Sequence, residues 1–162
     1  MAGKIIVQWQ NSYSVGVSPI DDQHIELIRL INKLFNSCMD SQKRDSGSFL
    51  NVVYETIEYT NYHFDTEDKI MERINYPDFA NHKQKHNDFV REVYTKIDEF
   101  KDGKMSSPLQ FVYYFRDWIL HHIAVSDKKL GSYLLLLKRN GYLQKIALGT
   151  RKGRTTNRML SA

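Results

Sequence analysis

Apolar and weakly polar residues recur along most of the chain at steps of three and four, the spacing that puts side chains on one face of an α-helix. Four segments have this pattern. Their predicted starts are Ser18, Ser46 or Ser48, Asp78 and Ser107. The first and last starts each precede a proline, which is typical of a helix N-terminus. The second helix is predicted to end at Asn75, because Pro77 excludes its continuation, and the third at Gly103.

Four such helices with short connections predict an all-α fold, an up-down-up-down four-helix bundle. Residues 1–17 alternate loosely and are expected to form an extended N-terminal arm. A short capping helix is expected after Asp127. The length of 162 residues suits one domain. We therefore place the bundle in residues 1–137 and a basic C-terminal tail in residues 138–162.

The formal charge of +4 is concentrated in that tail. Seven Lys or Arg and no acid follow residue 137, so residues 1–137 carry 16 basic and 19 acidic residues, a net of −3. A solvated linker is the default interpretation of the tail. A contact with an anionic membrane surface or an acidic partner stays open as an alternative. Because the cations lack interleaved aromatic residues, no nucleic-acid partner is expected.

Apolar runs in the sequence are too short for a signal peptide or a transmembrane segment, so a cytoplasmic location is predicted. Cys38 is the single cysteine, which excludes an internal disulfide. It follows Leu34 by one helical turn, and this position favours a buried structural thiol over a reactive one.

Histidines occupy core positions in all four helices. The predicted core stripes are Ile20, His24, Leu27, Ile31, Leu34 and Cys38; Thr56, Thr60, His63, Glu67, Ile70 and Ile74; Phe79, His82, His86, Phe89, Val93, Ile97 and Phe100; and Phe111, Phe115, Trp118, His122 and Val125. Only His121 is expected outside. One buried histidine alone would be an ordinary core residue with a hydrogen bond. Five with Glu67 would leave many unpaired groups, at roughly 1–3 kcal/mol each, which a metal centre avoids.

The donor set favours two metal ions. Asp127 follows His122 by five positions, about 140° round an α-helix, and adds a second carboxylate. Five imidazoles, two carboxylates and no thiolate are too many ligands for one tetrahedral zinc. They suit two iron or manganese ions bridged by the carboxylates. With one shared oxo or hydroxo bridge, about eleven of about twelve octahedral positions are filled, which leaves one for a small ligand.

The order and spacing of these donors resemble the hemerythrin family, in particular its bacterial single-domain members. The donors are His24, His63, Glu67, His82, His86, His122 and Asp127. Supporting motifs lie at residues 15–17, 20–24, 63–64, 76–77 and 118–123. The resemblance covers roughly residues 7–135. It implies a non-haem di-iron centre that binds dioxygen reversibly, with His82, His86 and His122 on one iron, His24 and His63 on the other, and both carboxylates bridging.

Reversible binding of dioxygen requires an apolar and dry pocket around the vacant position. The candidate wall residues are Leu27, Phe64, Met71, Trp118, Ile119 and Ile123. Each of them also fits plain bundle core. Asp68 stands where the family commonly has a second glutamate, and it lies off the ligand face. We therefore expect Asp68 to have no consequence for the site.

Three functions remain open at this stage. The first is a binding protein, not an enzyme, that stores, delivers or buffers dioxygen. The second is a di-iron oxidase, a peroxidase or a nitric-oxide-handling enzyme, which could use the same centre if water or a thiol reached it. The third is an oxygen sensor read by a partner protein. Near the donors the sequence has neither a Ser/His/Asp set nor a glycine-rich phosphate loop, which argues against hydrolysis and phosphoryl transfer.

Overall fold

The computed structural model describes residues 3–39, 46–104 and 107–142. After a 3-10 turn at Asn11–Tyr13, the elements are α1 (Ser18–Met39), α2 (Ser46–Arg73), α3 (Phe79–Lys101), α4 (Pro108–His122), a π-helical segment (Ile123–Asp127) and α5 (Lys128–Arg139). Helix α1 packs against α2 and α4, and α3 packs against the same two helices. The predicted four-helix bundle is therefore confirmed.

Local capping explains two of the helix boundaries. Ser107 begins α4, because its Oγ accepts a hydrogen bond from the Leu109 N–H at 3.3 Å. Helix α2 ends at Arg73, and Asn75 adopts a φ of 51° in the turn that follows. Asparagine tolerates this left-handed conformation better than most residues do. The turn reverses the chain, so α3 runs back along α2.

The π-helical segment changes the register between α4 and α5. Its wider turn is closed by a hydrogen bond from the Lys128 N–H to the Ile123 carbonyl, five residues apart. In a regular α-helix Asp127 would lie about 140° round from His122, but here both side chains are buried. The same shift exposes 37% of Val125. The prediction that Val125 belongs to the core was therefore wrong.

The N-terminal arm is held on α1 by two asparagines. Asn32 Oδ1 accepts hydrogen bonds from the backbone N–H groups of Ile6 and Val7, at 2.8 and 3.2 Å, and its Nδ2 donates to the Val7 carbonyl at 2.7 Å. Asn36 pairs in the same way with the N–H and carbonyl of Lys4, at 2.8 and 2.9 Å. Side-chain amides thus replace the neighbouring strand that an extended segment usually requires.

Other expectations have mixed outcomes. Cys38 packs against the core but is only half-buried. Within the described residues, no helix combines the length and the apolar character needed to cross a bilayer. Residues 143–162, most of the predicted tail, lie outside the described residues. The boundary after residue 137 and the cytoplasmic location stay predictions.

A substitution at Gly131 tests how the arm packs on α5. A Cβ at this position would overlap the carbonyl oxygen and the Cβ of Val15. Gly131→Ala should lower the free energy of unfolding by about 1–3 kcal/mol, because backbone must move to make room. Gly47→Ala is the control, since an added Cβ meets nothing within 4 Å there. Urea unfolding followed by circular dichroism gives both values, and equal values would contradict the packing.

Candidate metal centre

The seven predicted donors meet in the middle of the bundle. In chain order, α1 contributes one, α2 two, α3 two, α4 one and the π-helical segment one: His24, His63, Glu67, His82, His86, His122 and Asp127. None of them is more than 3% exposed. Pairs on one helix are four apart and therefore share a face. His121 is exposed, as the sequence predicted.

The donor atoms form two groups, in each of which all atoms lie within 4.8 Å of one another. One group contains three histidines and two carboxylates, namely His82, His86, His122, Glu67 and Asp127. The other contains His24, His63 and the same two carboxylates. Glu67 and Asp127 are thus shared, which is the arrangement that carboxylates bridging two cations require.

The three-histidine group has nitrogen atoms in close contact. His122 Nε2 lies 2.9 Å from His86 Nε2 and 3.1 Å from His82 Nε2. An imidazole nitrogen offers either one N–H or one lone pair, so His122 Nε2 cannot make two full hydrogen bonds. A cation between the rings would accept a lone pair from each of them.

The two carboxylates are the strongest sign that a cation fits. Both oxygens of Glu67, both oxygens of Asp127 and both ring nitrogens of His24 are buried without a hydrogen bond among the described residues. Ring nitrogens do approach these oxygens, as His122 Nε2 does Asp127 Oδ1 at 3.0 Å and His24 Nε2 does Asp127 Oδ2 at 3.2 Å. These approaches lack hydrogen-bond alignment. Buried anions left in this condition cost several kcal/mol each, so the residues fit a metal centre.

The protonation states of the metal-free site also suit a cation. Burial lowers the pKa of His63 to about 4 and lowers that of His122 as well. Burial alone would raise the pKa of Asp127, but His122 and the other imidazoles hold that pKa well below its usual value. Burial opposes the charged form of His82 too, yet the adjacent carboxylates of Asp127 and Glu67, each 3.3 Å from its Nε2, raise its pKa to about 9. The carboxylates that favour the protonated form of His82 would favour a metal ion in the same way.

Two outer contacts orient the histidines. Gln23 Oε1 lies 2.9 Å from His63 Nδ1, and Asp68 Oδ1 lies 3.3 Å from His86 Nδ1. An acceptor at Nδ1 keeps the proton there and turns the Nε2 lone pair toward the centre. Asp68 lies off the ligand face, as expected, but its carboxylate contacts a ligand on the neighbouring helix. Contrary to the expectation from the sequence, we therefore predict that Asp68 affects metal binding. It also forms an ion pair with Lys83 at 3.1 Å.

Sequence reasoning missed Gln23, although a signal was present. Gln23 and Asp68 each stand directly beside a predicted donor, about 100° from it around the helix. A polar side chain in that position cannot reach the centre from its own helix, but it can reach a donor on the next one. Gln23 is also buried, at 8% exposure, and its amide approaches Thr66 Oγ1 at 3.4 Å.

Two of the predicted wall residues stack on donor imidazoles. Phe64 lies parallel to His86, with ring centroids 3.8 Å apart, and the half-buried Trp118 lies parallel to His122 at 4.6 Å. The remaining four, Leu27, Met71, Ile119 and Ile123, are fully buried. Their role as a pocket for dioxygen stays a prediction.

Comparison with known proteins agrees with this geometry. The sequence profile described as "Hemerythrin HHE cation binding domain" matches residues 15–134. The chain belongs to the hemerythrin family. Similar members include "Bacteriohemerythrin" from Stenotrophomonas maltophilia, 30% identical over 124 residues (76% of this chain, 78% of that protein), and from Methylococcus capsulatus, 29% identical over 122 residues (75% and 91%). A solved "Crystal structure of hemerythrin:wild-type" is 26% identical, with a TM-score of 0.71, and covers 78% of this chain and 96% of that one.

Substitution of two adjacent histidines at the end of α4, His121 and His122, tests the donor set of this hemerythrin-family chain. After anaerobic loading with Fe(II), we expect two iron ions per chain. His122→Ala should lower the iron content because it removes a nitrogen from the three-histidine group, whereas His121→Ala should not, since that imidazole is exposed. Elemental analysis with circular dichroism as a folding check gives the answer. Equal loss in both variants would mean that the register of α4 is wrong.

Asp68 provides a second test. Asp68→Ala should weaken iron binding about 10- to 100-fold, because His86 loses the acceptor at Nδ1. Asp65→Ala is the matched control on the same helix, since Asp65 pairs with the exposed Lys69. Lys83→Gln, which keeps the carboxylate but removes its ion pair, should retain most of the affinity. Competition with a chelator measures the iron affinity of all three variants. An unchanged affinity in Asp68→Ala would contradict the role of Asp68 in orienting His86.

Proposed function

We propose that this chain binds dioxygen reversibly at a di-iron centre, and so stores, delivers or buffers it. Hemerythrins bind dioxygen at such a centre, and family membership brings that role to this chain as a proposal. The observation that carries it is the sharing of two hydrogen-bond-deficient carboxylates, Glu67 and Asp127, between two groups of histidines. A single cation would leave one of these groups without a metal.

The two groups of donor atoms indicate which residues would hold each iron ion. One iron would be held by His82, His86 and His122, and the other by His24 and His63, with Glu67 and Asp127 shared between the two. Because His24 and His63 offer one nitrogen fewer than the other group, an iron held by them would have room for a small ligand. A bound iron pair supplies the exchangeable electrons that dioxygen binding needs.

Buried aliphatic side chains of the chain would exclude water from the metal centre. Leu27 follows His24 by one turn of α1 and is fully buried. Ile119 on α4 and Ile123 at the start of the π-helical segment lie on either side of His122 in the sequence, and both are buried. Aliphatic side chains have no proton to transfer and exclude water from bound dioxygen. The Asp68 carboxylate is 18% exposed but contacts the outer nitrogen of His86, on the far side of the ring from the centre. This separation favours reversible binding over reduction.

The predicted wall residues also bear on the choice between a binding protein, an enzyme and a sensor. An oxidase, a peroxidase or a nitric-oxide-handling enzyme must admit protons and reductant to the centre, and a sensor must transmit its state to a partner. The stacked rings of Phe64 and Trp118 cover two ligand imidazoles, which limits such access. We therefore propose a binding protein and not an enzyme.

Repeated oxygenation tests this proposal. The reduced, iron-loaded protein is mixed with air, its visible charge-transfer band is recorded, and the gas is then removed under argon. The band should form and bleach over several cycles without consumption of reductant. Rapid passage to a permanently oxidised form, with steady consumption of added reductant, would instead assign the centre to an enzyme.

Two buried leucines of α1 provide matched variants for the same experiment. Leu27→Ala and Leu34→Ala should each lower stability by about 2–5 kcal/mol, since both side chains are fully buried. Only Leu27→Ala should shorten the lifetime of the oxygenated form, because only that cavity opens beside a donor. An equal lifetime in both variants would contradict the role of the wall.

A further inference from the structure

The outward side of α5 and of the preceding π-helical segment carries apolar and basic side chains together. We call it the α5 face, and its residues are Val125, Lys128, Lys129, Leu135, Leu136 and Arg139. Leu135 and Leu136 are 39% and 48% exposed, and they are the only exposed leucines among the described residues. A shallow, open groove of about 620 Å³ runs along this face between Val125 and Leu136, with Lys128 and Lys129 at its sides.

Most described cations of the bundle are ion-paired, whereas those of the α5 face are not. Nine Lys or Arg side chains elsewhere in the described residues form ion pairs with Asp or Glu, for example Lys33 with Glu55 and Arg91 with Asp88. Lys129 and Arg139 form no ion pair with a described residue, and Lys128 donates to the Ser14 carbonyl. Their charge is therefore available to an external anion.

Acidic and basic residues are also unevenly distributed between the two parts of the chain. From Lys128 to the C-terminus there are nine Lys or Arg and no acid. Residues 1–127 hold the other 14 basic residues and all 19 acids, a net of −5. An extended anionic surface would attract the C-terminal part and repel the bundle, so the α5 face would turn toward that surface.

We propose that the α5 face docks on an anionic lipid bilayer. Lipid phosphates and carboxylates match the unpaired cations, and the interfacial region accepts Leu135, Leu136 and Val125. Duplex nucleic acid would match the charge but offers no apolar partner for the leucines. An acidic helix could fill the groove, but the groove is lined by only two of the nine Lys or Arg residues that follow residue 127. This proposal is independent of dioxygen binding.

Vesicle binding of the full, iron-loaded chain tests the proposal. One set of vesicles is phosphatidylcholine alone, and the other contains about one-third phosphatidylserine. At about 0.1 M salt, the chain should sediment with the anionic vesicles and stay free with the neutral ones. At about 1 M salt, where the screening length is about 3 Å, most of the binding should disappear. Equal binding to both kinds of vesicle would overturn the proposal.

Variants locate the contact. Lys129→Gln should weaken binding about fivefold, the loss expected for one cation near an anionic surface, and Leu136→Ser should weaken it by a similar factor. The controls are Lys104→Gln, with the same change in charge beyond the end of α3, and Ile5→Ser, with a side chain that is 66% exposed. Both controls should bind like the unaltered chain. All four variants must retain the helical signal and the iron content.

Three results would overturn the proposal. Equal losses from Lys104→Gln and Lys129→Gln would mean a diffuse attraction without a defined face. A loss from Lys129→Gln with none from Leu136→Ser would remove the lipid contact of the leucine. Tighter binding to a short DNA duplex than to anionic vesicles, unaffected by Leu136→Ser, would assign the face to nucleic acid.

Discussion

Two carboxylates without hydrogen bonds, buried at the centre of the bundle, are the constraint on which the rest of the structure depends. Glu67 and Asp127 are 0% exposed, and none of their oxygens has an aligned donor among the described residues. Burial opposes both anions, yet the nearby imidazoles hold both carboxyl pKa values below their usual range. Only cations bound between the histidines would compensate two such charges fully. The family to which the chain belongs supplies that solution.

The helices are arranged to meet this constraint. A regular α-helix cannot present His122 and Asp127 to one point, and the π-helical segment between α4 and α5 corrects the angle between them. Helix α5 then leaves in a direction that lets Gly131 lie against the N-terminal arm. Gln23 and Asp68 fix the rotation of two rings from outside. The position of one carboxylate thus shapes the end of the bundle, and the same segment carries Val125 to the surface.

The helix pattern and the candidate donors could be predicted from sequence because both follow from periodicity. Imidazoles replace leucine or isoleucine at core positions of four amphipathic helices, so His24, His63, His82, His86 and His122 were recognisable without a structure. Val125 was placed wrongly, because its assignment assumed α-helical steps through a segment that is π-helical. The residue types at positions 123–127 do not indicate a π-helical turn. Asp68 and Gln23 act across a helix pair, and such contacts depend on a packing distance that one helix alone does not reveal.

Anomalous X-ray scattering at the iron edge, from crystals of the iron-loaded protein, would test the central claim most directly. We predict two peaks of comparable height inside the bundle. Both should contact Glu67 and Asp127, one beside His82, His86 and His122 and the other beside His24 and His63. A single peak, or two peaks without a shared carboxylate, would contradict the account.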